Sequence, residues 1–514
     1  MAGNSIAVLL TSLRNESSPV LPTRFREATK ESGAKSLTRV RRPFSLCALA
    51  VLSLGLLVAP GAAQANGTGN PVAWGCRAPR DDGQCSVPSG LVAMAAVAAA
   101  DSHSLALRPD GTVVAWGCGG AGSWGQCSVP DALSGVIAIA AGFFDSLALK
   151  GDGTVVAWGC NVSPDRGQCA VPAGLTSVTA IAAGFAHSLA LKSDHTVVAW
   201  GCAYDAQNFG QCNVPVGLSG VTAIAAADSH SLALKSDGTV VAWGCGTALG
   251  HSEDWGQCNV PAGLSGVTAI AAGSFHSLAL RGDGTVVAWG CGISFGQCIV
   301  PAGLSGVTAI AASWSHSLAL KSDGTVVAWG CGPGDYGQCS VPSSVCGVTA
   351  IAAGNVHSLA LAKTCQTITF GALARKTFGQ PDFAVSASAS SGLPVSFAAS
   401  GSCTLHGAIV HIVHPGSCTV TASQSGDSNY AAAPDVSRTF SIVPAPCRVP
   451  KVVGKKLVTA KRTIAKRNCR TGKVGHAYSR KHKKGIVISQ SRRPGRVLLA
   501  RSKINLIVSR GRKP

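Results

Sequence analysis

Residues 266–305, GVTAIAAGSFHSLALRGDGTVVAWGCGISFGQCIVPAGLS, decide the fold of this chain. They divide into four apolar pieces of strand length, VTAIAA, HSLAL, TVVAWG and QCIVP. Asp283 and Gly284 separate the second piece from the third, and Asp-Gly between two apolar runs predicts a tight β-hairpin. The stretch therefore predicts a unit of four short strands.

The same unit recurs along the chain. A second motif, H-S-L-A-L or D-S-L-A-L, begins at His103, Asp145, His187, His230, His276, His316 and His357. The A-W-G-C motif returns at intervals of 40 to 46 residues, with its tryptophan at Trp74, Trp116, Trp158, Trp200, Trp243, Trp289 and Trp329. Four short strands in a repeat of about 42 residues are typical of a β-propeller blade and not of a helical solenoid.

The two ends of the array predict how the propeller closes. The array begins with a third strand, residues 72–76, and finishes with a second strand, residues 358–361, so neither end forms a whole blade. Pairing the two ends would complete one blade and remove the exposed sheet edges. We therefore expect an all-β chain in which residues 70–365 form a seven-bladed β-propeller closed by its N- and C-terminal strands.

Each unit also carries two cysteines, one after Trp-Gly and one in Gly-Gln-Cys, and the stretch between them varies in length. Zinc is the other use of recurrent cysteines, but these spacings do not match the C-x2–4-C of structural zinc sites. We therefore predict ten local disulfides, seven between the two repeated cysteines of each unit and three that use the remaining six cysteines, one pair per local segment. The pairs are Cys76–Cys85, Cys118–Cys127, Cys160–Cys169, Cys202–Cys212, Cys245–Cys258, Cys291–Cys298, Cys331–Cys339, Cys346–Cys365, Cys403–Cys418 and Cys447–Cys469.

The first 65 residues predict export from the cell. The apolar run 45–59 follows Arg41 and Arg42 and is followed by Ala-Gln-Ala at 63–65, which together form a secretory signal cleaved after Ala65. Cleavage would leave 20 of the 21 cysteines, in a compartment where disulfides persist, and no transmembrane anchor in the mature chain. We favour general secretion, while the R-R-x-F match leaves twin-arginine export open and Val40 remains an alternative start.

The charge of the chain is concentrated at its C-terminal end. Residues 447–514 hold 22 Lys and Arg and no Asp or Glu, whereas the whole chain has a net charge of +20. Such a segment is expected to adhere to polyanions, which outside the cell are anionic wall polymers and not nucleic acid. A basic tail that only aids solubility is the alternative.

The repeats carry a family resemblance. The pattern V-V-A-W-G…G-Q…V-P…S-G-V-x-A-I-A-A-G-x-x-H-S-L-A-L-K over residues 70–363 resembles the bacterial branch of the regulator-of-chromosome-condensation repeat family. Within that branch it is similar to the secreted β-lactamase inhibitory propellers of actinobacteria. This resemblance implies a protein-binding propeller, with a penicillin-recognising enzyme as one partner to consider.

Two smaller modules follow the repeats. Residues 366–443, with GDSNYAAAP at 426–434, resemble bacterial Ig-like repeats and imply a small β-sandwich spacer. Residues 447–514 resemble a penicillin-binding-protein and serine/threonine-kinase-associated (PASTA) domain, which implies a small α+β module that binds peptidoglycan. The matching positions are Val449, Pro450, Val452, Gly454, Leu457, Ala460, Gly485, Val487, Ile488, Ser489, Gln490, Pro494, Gly495, Val508, Ser509 and Gly511.

The two positions before the repeat histidine vary from unit to unit, which favours a binding surface. Aromatic residues at the equivalent place in the inhibitory propellers engage the enzyme. Packing between blades is the alternative interpretation. The candidate partner-binding residues are Phe143, Phe144, Phe185, Phe275, Trp314, Asp101 and Asp228.

The sequence does not predict catalysis. It has no Gly-rich phosphate loop, G-x-S-x-G elbow or H-E-x-x-H helix. The repeat histidine recurs in six units, whereas an active site is assembled once, so we expect a structural role for it. His406, His411 and His414 lack acidic neighbours in the sequence, which favours surface or packing roles over a metal site. No cofactor is predicted.

These observations predict a secreted, wall-associated binding protein and not an enzyme. The propeller would be the platform for an extracellular protein, and residues 447–514 would hold peptidoglycan or anionic wall polymers. A structural or adhesive wall protein without an enzyme target is the main alternative. A β-lactamase inhibitor or a glycan-active enzyme is a further one.

Overall fold

The computed structural model describes residues 63–77, 81–120, 123–161, 166–203, 207–248, 251–252, 254–292, 295–332 and 335–513. The expected secretory signal, including Cys47, therefore lies outside the described residues, apart from its last three residues at the start of the first strand. The described part of the chain is built almost entirely of β-strands and contains one α-helix.

Six blades are formed by consecutive segments of the chain, and each contains three antiparallel strands; in five of them these strands form a separate sheet, whereas those of blade 1 belong to a six-stranded sheet that also contains blade 7. In every blade the first strand lies innermost and the third outermost. From blade 1 to blade 6 the strands are Met94–Ala99, His103–Leu107 and Val113–Gly117; Val136–Ala141, Asp145–Lys150 and Val155–Gly159; Val178–Ala183, His187–Lys192 and Val197–Gly201; Val221–Ala226, His230–Lys235 and Val240–Gly244; Val267–Gly273, His276–Arg281 and Val286–Gly290; Val307–Ala312, His316–Lys321 and Val326–Gly330. A short hairpin, Thr247–Ala248 with His251–Ser252, follows blade 4.

Blade 7 joins the two ends of the array. Its inner and middle strands are Cys346–Ala353 and His357–Lys363, and its outer strand is supplied by Ala63–Gly75. The pairing runs antiparallel from Asn70 opposite Ala362 to Gly75 opposite His357. The predicted closure of seven blades by the terminal strands is therefore confirmed.

The predicted fourth strand of each unit is wrong, because Gly-Gln-Cys-x-Val-Pro forms turns instead of extended backbone. In the first such segment Gly83 has a φ of 88°, and its carbonyl accepts a hydrogen bond of 2.9 Å from the amide of Ser86. The amide of Val87 bonds to the carbonyl of Cys85, and Pro88 has no amide hydrogen. The backbone groups that a fourth strand would need are thus used within the turns.

The core of the propeller lies between blades. The first five residues of each middle strand are buried, and their leucines contact the apolar side chains of the following blade. In one cluster Leu278 and Leu280 of blade 5 pack with Ile310, Ala319 and Trp329 of blade 6. Each blade therefore buries its apolar residues only when its neighbours are present.

Hydrogen bonds reinforce the same junctions. Six repeat histidines each bond through Nε2 to the hydroxyl of a serine in the next blade, at 2.9 to 3.0 Å. That serine donates in turn to the carbonyl of a Gly-Gln-Cys glutamine, as Ser104 does to Gln84 at 3.2 Å. Since the serine hydroxyl donates to the carbonyl, the imidazole Nε2 carries the proton. The six pairs are His103–Ser146, His187–Ser231, His230–Ser277, His276–Ser317, His316–Ser358 and His357–Ser104.

Burial decides the protonation state of these groups. It lowers the pKa of each of the six histidines to about 3, so all six are neutral near pH 7. The repeat histidines are 0% exposed and cannot touch a ligand, which agrees with a structural role.

The junction between blades 2 and 3 lacks this bond. Asp145 replaces the histidine there, is 0% exposed, and has no hydrogen-bond partner for either carboxyl oxygen among the described residues. The hydroxyl of Ser188 in blade 3 is likewise unpartnered within that part of the chain. Burial raises the pKa of Asp145 to about 8, so it is mostly protonated at neutral pH.

All ten expected disulfides are present. The first cysteine of each of the seven blade disulfides adopts a left-handed backbone, with φ between 57° and 70°. Its amide donates to the carbonyl of the residue before the repeat histidine, as Cys118 does to Ser102 at 3.0 Å. The disulfide loops are thereby fixed beside the loops that join inner and middle strands.

The two smaller modules follow. The β-sandwich comprises Ile368–Phe370, Lys376–Thr377, Phe383–Ala384, Ala387–Ala389, Ser396–Gly401, Cys403–His406, Ile409–Ile412, Gly416–Gln424 and Ala433–Val443. The C-terminal module comprises Cys447–Arg448, helix Leu457–Ala465, Arg470–Ala477, Val487–Gln490, Val497–Leu498 and Lys503–Ser509. Its helix buries Ala460 and Ile464 against the sheet, as the helical spacing of apolar residues requires.

The left-handed backbone of the first blade cysteines leads to a prediction about stability. Two variants without the blade 3 disulfide, C202G/C212A and C202A/C212A, differ only at position 202, where φ is 58°. We expect the glycine variant to be more stable by about 1 kcal/mol, because alanine is strained in this region. Chemical denaturation measures the difference. Equal stabilities would show that the loop relaxes to right-handed backbone once the disulfide is absent.

Asp145 generates the second prediction. Its pKa is raised from 3.8 to about 8 in the folded state, so between these values Asp145 keeps its proton in the folded chain and loses it in the unfolded chain. The free energy of unfolding contributed by Asp145 is therefore complete below about pH 4 and falls as the pH rises to about 8. The six buried histidines contribute the same pH dependence to wild type and D145N, so the stability difference between the two proteins, measured by thermal unfolding, should fall as the pH rises from about 4 to about 8. Parallel curves would contradict the assignment.

Asp145→His should restore the hydrogen bond that this junction lacks. The imidazole should reach Ser188 as its six counterparts reach theirs, and we expect unfolding to shift upward by roughly 2 °C, the effect of one added hydrogen bond. A lower melting temperature would mean that this junction has adapted its packing to the shorter carboxyl side chain.

Candidate binding site at the mouth of the central channel

A channel runs through the middle of the propeller. The inner strands line it with alanine side chains, and it encloses about 350 Å³. One mouth, of about 310 Å³, is formed by the loops that join inner and middle strands. Because alanine presents only a methyl group, these side chains leave the channel open, and Thr268, Thr308 and Thr349 add hydroxyl groups to its wall.

The rim of this mouth is built from one residue per blade, two positions before the repeat histidine. Five of the seven are candidate residues from the sequence, so the structure brings those five together around one opening. The amide of Phe143 donates to the carbonyl of Gly184 in the next blade at 3.2 Å, and Asn355 bonds similarly to Ala100 at 3.0 Å. These bonds hold the rim rigid. The rim residues are Asp101, Phe143, Phe185, Asp228, Ser274, Trp314 and Asn355.

The other two candidates, Phe144 and Phe275, do not line the mouth. They stand one residue later in the loop and point toward the disulfide loops. Phe144 is 6% exposed and lies 5.8 Å from Trp124, ring centre to ring centre, while Phe275 lies 6.3 Å from Trp255. Their position indicates support of the rim and not direct contact with a ligand.

The aromatic rings form two clusters on this face. In the first, Phe143 and Phe185 lie 4.5 Å apart with Phe144 beneath them. In the second, Trp314 lies 5.3 Å from Phe295 and 6.0 Å from Phe275. Edge and tilted contacts of this kind favour fixed ring orientations.

Sequence reasoning missed three residues of the site. Arg166, from a disulfide loop, is 7% exposed and places its guanidinium 4.2 Å from the centre of the Phe144 ring. Asn355 donates its side-chain amide to the carboxylate of Asp101. Ser274 and Asn355 occupy the same repeat position as the candidates, and that position could have identified them. Arg166 lies in a variable loop, where no sequence pattern pointed to it.

The chemistry of the mouth suits binding. It combines half-buried aromatic rings with the carboxylates of Asp101 and Asp228, which are three blades apart. Such a rim can hold apolar and cationic groups of a partner. Within the described ranges no group of three or more His, Cys, Asp or Glu could hold a metal ion. The expectation that His411 lacks an acidic neighbour is wrong, since Asp382 lies 2.7 Å from its Nδ1 on the surface.

The C-terminal module offers a second surface. All 22 of its Lys and Arg side chains are exposed, and the module contains no acidic residue to offset them. The field around it is therefore positive on every side. No helix in the described part of the chain is both long and apolar enough to cross a membrane.

Comparison with known families agrees with this architecture. The Regulator of chromosome condensation (RCC1) repeat family matches five segments, 136–168, 178–211, 221–248, 267–297 and 307–338. The PASTA domain family matches residues 448–510. No curated protein matches the chain.

Solved structures provide three further comparisons. Yeast RCC1 (Prp20) bound to Kap60 is 19% identical over 64% of this chain and 96% of that chain, with a TM-score of 0.46. Prp20p from Saccharomyces cerevisiae is 19% identical over 58% and 92%, with a TM-score of 0.48. The three-PASTA-domain of a Ser/Thr kinase from Staphylococcus aureus is 25% identical over 12% and 32%, with a TM-score of 0.12.

The repeats and the C-terminal module are thus recognised independently of their geometry. Both families are typically non-catalytic binding or regulatory modules. This chain carries RCC1 repeats in its propeller and a PASTA domain at its C-terminal end.

Proposed function

We propose that this chain is a secreted binding protein of the bacterial cell wall, whose propeller holds a folded protein partner and whose PASTA domain attaches it to peptidoglycan or anionic wall polymers. The observation that carries the first part is the rim of the channel mouth. Phe143, Phe185 and Trp314 stand at one repeat position on one face and remain half-buried in the free chain. Aromatic anchors in a polar surround are typical of interface hot spots.

Rigidity of the rim supports a protein partner. Disulfide loops lie against one side of the rim loops, and in three of these loops the amide of the rim residue, Phe143, Phe185 or Asn355, bonds to the next blade. A preorganised surface loses little conformational entropy on binding, so more of the contact energy becomes affinity. A penicillin-recognising enzyme is the first partner to test, given the resemblance of the repeats to inhibitory propellers.

Charge supports attachment to the wall. The 22 exposed cations of residues 447–514 would be attracted to phosphate- and carboxylate-rich polymers, and ten disulfides suit an extracellular location. The remainder of the mature chain, residues 66–446, carries a net charge of −7 and would not compete for these polymers.

Trp314 generates a prediction for the propeller. In Trp314→Ala the affinity for a partner captured from a wall extract should fall about thirtyfold, the usual effect of removing an aromatic anchor. The melting temperature should change little, since the side chain is half-buried at the rim. Surface plasmon resonance and thermal unfolding measure the two quantities.

Phe378→Ala is the matched control for this experiment. Phe378 is an aromatic residue of the β-sandwich, 39% exposed, and its truncation should leave affinity unchanged. A large loss of stability in Trp314→Ala would assign Trp314 to packing and contradict the proposed surface. Titration of class A β-lactamases with the wild-type chain tests the choice of partner separately.

Deletion of residues 447–514 generates a prediction for attachment. The truncated chain should be released from isolated cell walls, because the deleted segment supplies all of the excess positive charge. Cys447 pairs with Cys469 inside the segment, so the deletion leaves no unpaired thiol. Retention is measured by sedimentation at low and high salt. Equal retention of the full and the truncated chain would contradict the proposed attachment.

A further inference from the structure

Two apolar side chains of the PASTA domain, at and just after a short strand, are exposed to solvent. Val497 is 53% exposed and Leu499 is 87% exposed. Leu498 between them packs against the core of the domain, whereas Val497 in the two-residue strand Val497–Leu498 and Leu499 at the bend that follows it are both exposed to solvent. We name Val497 and Leu499 the apolar edge.

The exposure of the apolar edge is fixed by the backbone. The carbonyl of Leu499 accepts hydrogen bonds from the amide of Ser502 at 3.1 Å and from its hydroxyl at 2.6 Å. The amide of Arg501, which has a φ of 61°, bonds to the carbonyl of Asn468. The chain therefore holds Leu499 outward at a tight turn, and the leucine does not fold back onto the domain.

Arginines frame the apolar edge. Arg448 lies directly across the strand pair from Val497. Between residues 491 and 501 every cationic side chain is an arginine, namely Arg492, Arg493, Arg496 and Arg501, and all are exposed. The guanidinium group binds phosphate oxygens in a bidentate manner, whereas lysine acts as a point charge. The arginines around the apolar edge therefore suit anionic groups that present two oxygens, and phosphodiesters are one such group.

We propose that the apolar edge and its arginine frame bind the surface of an anionic phospholipid bilayer, with Val497 and Leu499 inserted at the boundary between headgroups and acyl chains. Phosphodiesters occur in lipid headgroups and in soluble wall polymers alike. Only the bilayer also provides an apolar phase for an outward leucine and valine beside the cations. This inference goes beyond wall attachment, which requires charge alone.

The experiment uses the full chain and sedimentation with two sets of vesicles, phosphatidylcholine alone and phosphatidylcholine containing phosphatidylglycerol. Wild type should bind the anionic vesicles only. V497S/L499S should bind them at least about tenfold more weakly, because two apolar groups no longer leave water. Val458→Ser is the matched control, since Val458 is 64% exposed on the helix of the same domain, and it should bind like wild type.

Inorganic polyphosphate is the second probe, because it offers phosphate without an apolar phase. Wild type and V497S/L499S should bind it equally, since the substitutions leave the charge unchanged. Equal binding of anionic vesicles by wild type and V497S/L499S would overturn the proposal, as would failure of wild type to bind them. V497S/L499S should be retained by isolated cell walls as well as wild type is, because its charge is unchanged. The result with vesicles therefore does not depend on the proposed attachment to the wall.

Discussion

The hydrogen bond from a neutral, buried imidazole to a serine of the next blade is the interaction on which the propeller depends. It is present at six of the seven junctions. At each of these the serine hydroxyl also donates a hydrogen bond to a glutamine carbonyl. The tryptophan of A-W-G-C donates to the same carbonyl, as Trp116 does to Gln84 at 2.9 Å. The histidine, serine and tryptophan of the repeats therefore meet beside one glutamine carbonyl. An unpaired polar group buried there would lower the stability of the fold.

This constraint also explains where the sequence is free to vary. The residue two positions before the histidine places its side chain at the channel mouth, and in the loops of Phe143, Phe185 and Asn355 its amide bonds to the next blade. Blades can therefore differ at this position without loss of the interblade bond. A rigid scaffold with one variable side chain per blade is a suitable design for a binding face.

The fold could be predicted largely from the sequence, because repetition gives each strand and each disulfide several times over. The two half-units at the ends of the array were enough to predict closure. The fourth strand failed because apolar spacing does not register the turn at Gly83 or the missing amide of Pro88. Which of two adjacent variable residues, Phe143 or Phe144, faces the mouth depends on the geometry of the loop and could not be read from spacing.

The central claim is that a protein partner binds at the rim and not elsewhere on the propeller. A photoreactive amino acid at position 185, on the rim, and another at position 194, in an exposed turn between middle and outer strands, report on the two faces. After irradiation in a wall extract, mass spectrometry identifies the proteins attached at each position. We expect one discrete protein joined at position 185 and absent at position 194. The same proteins at both positions, or none at position 185, would contradict it.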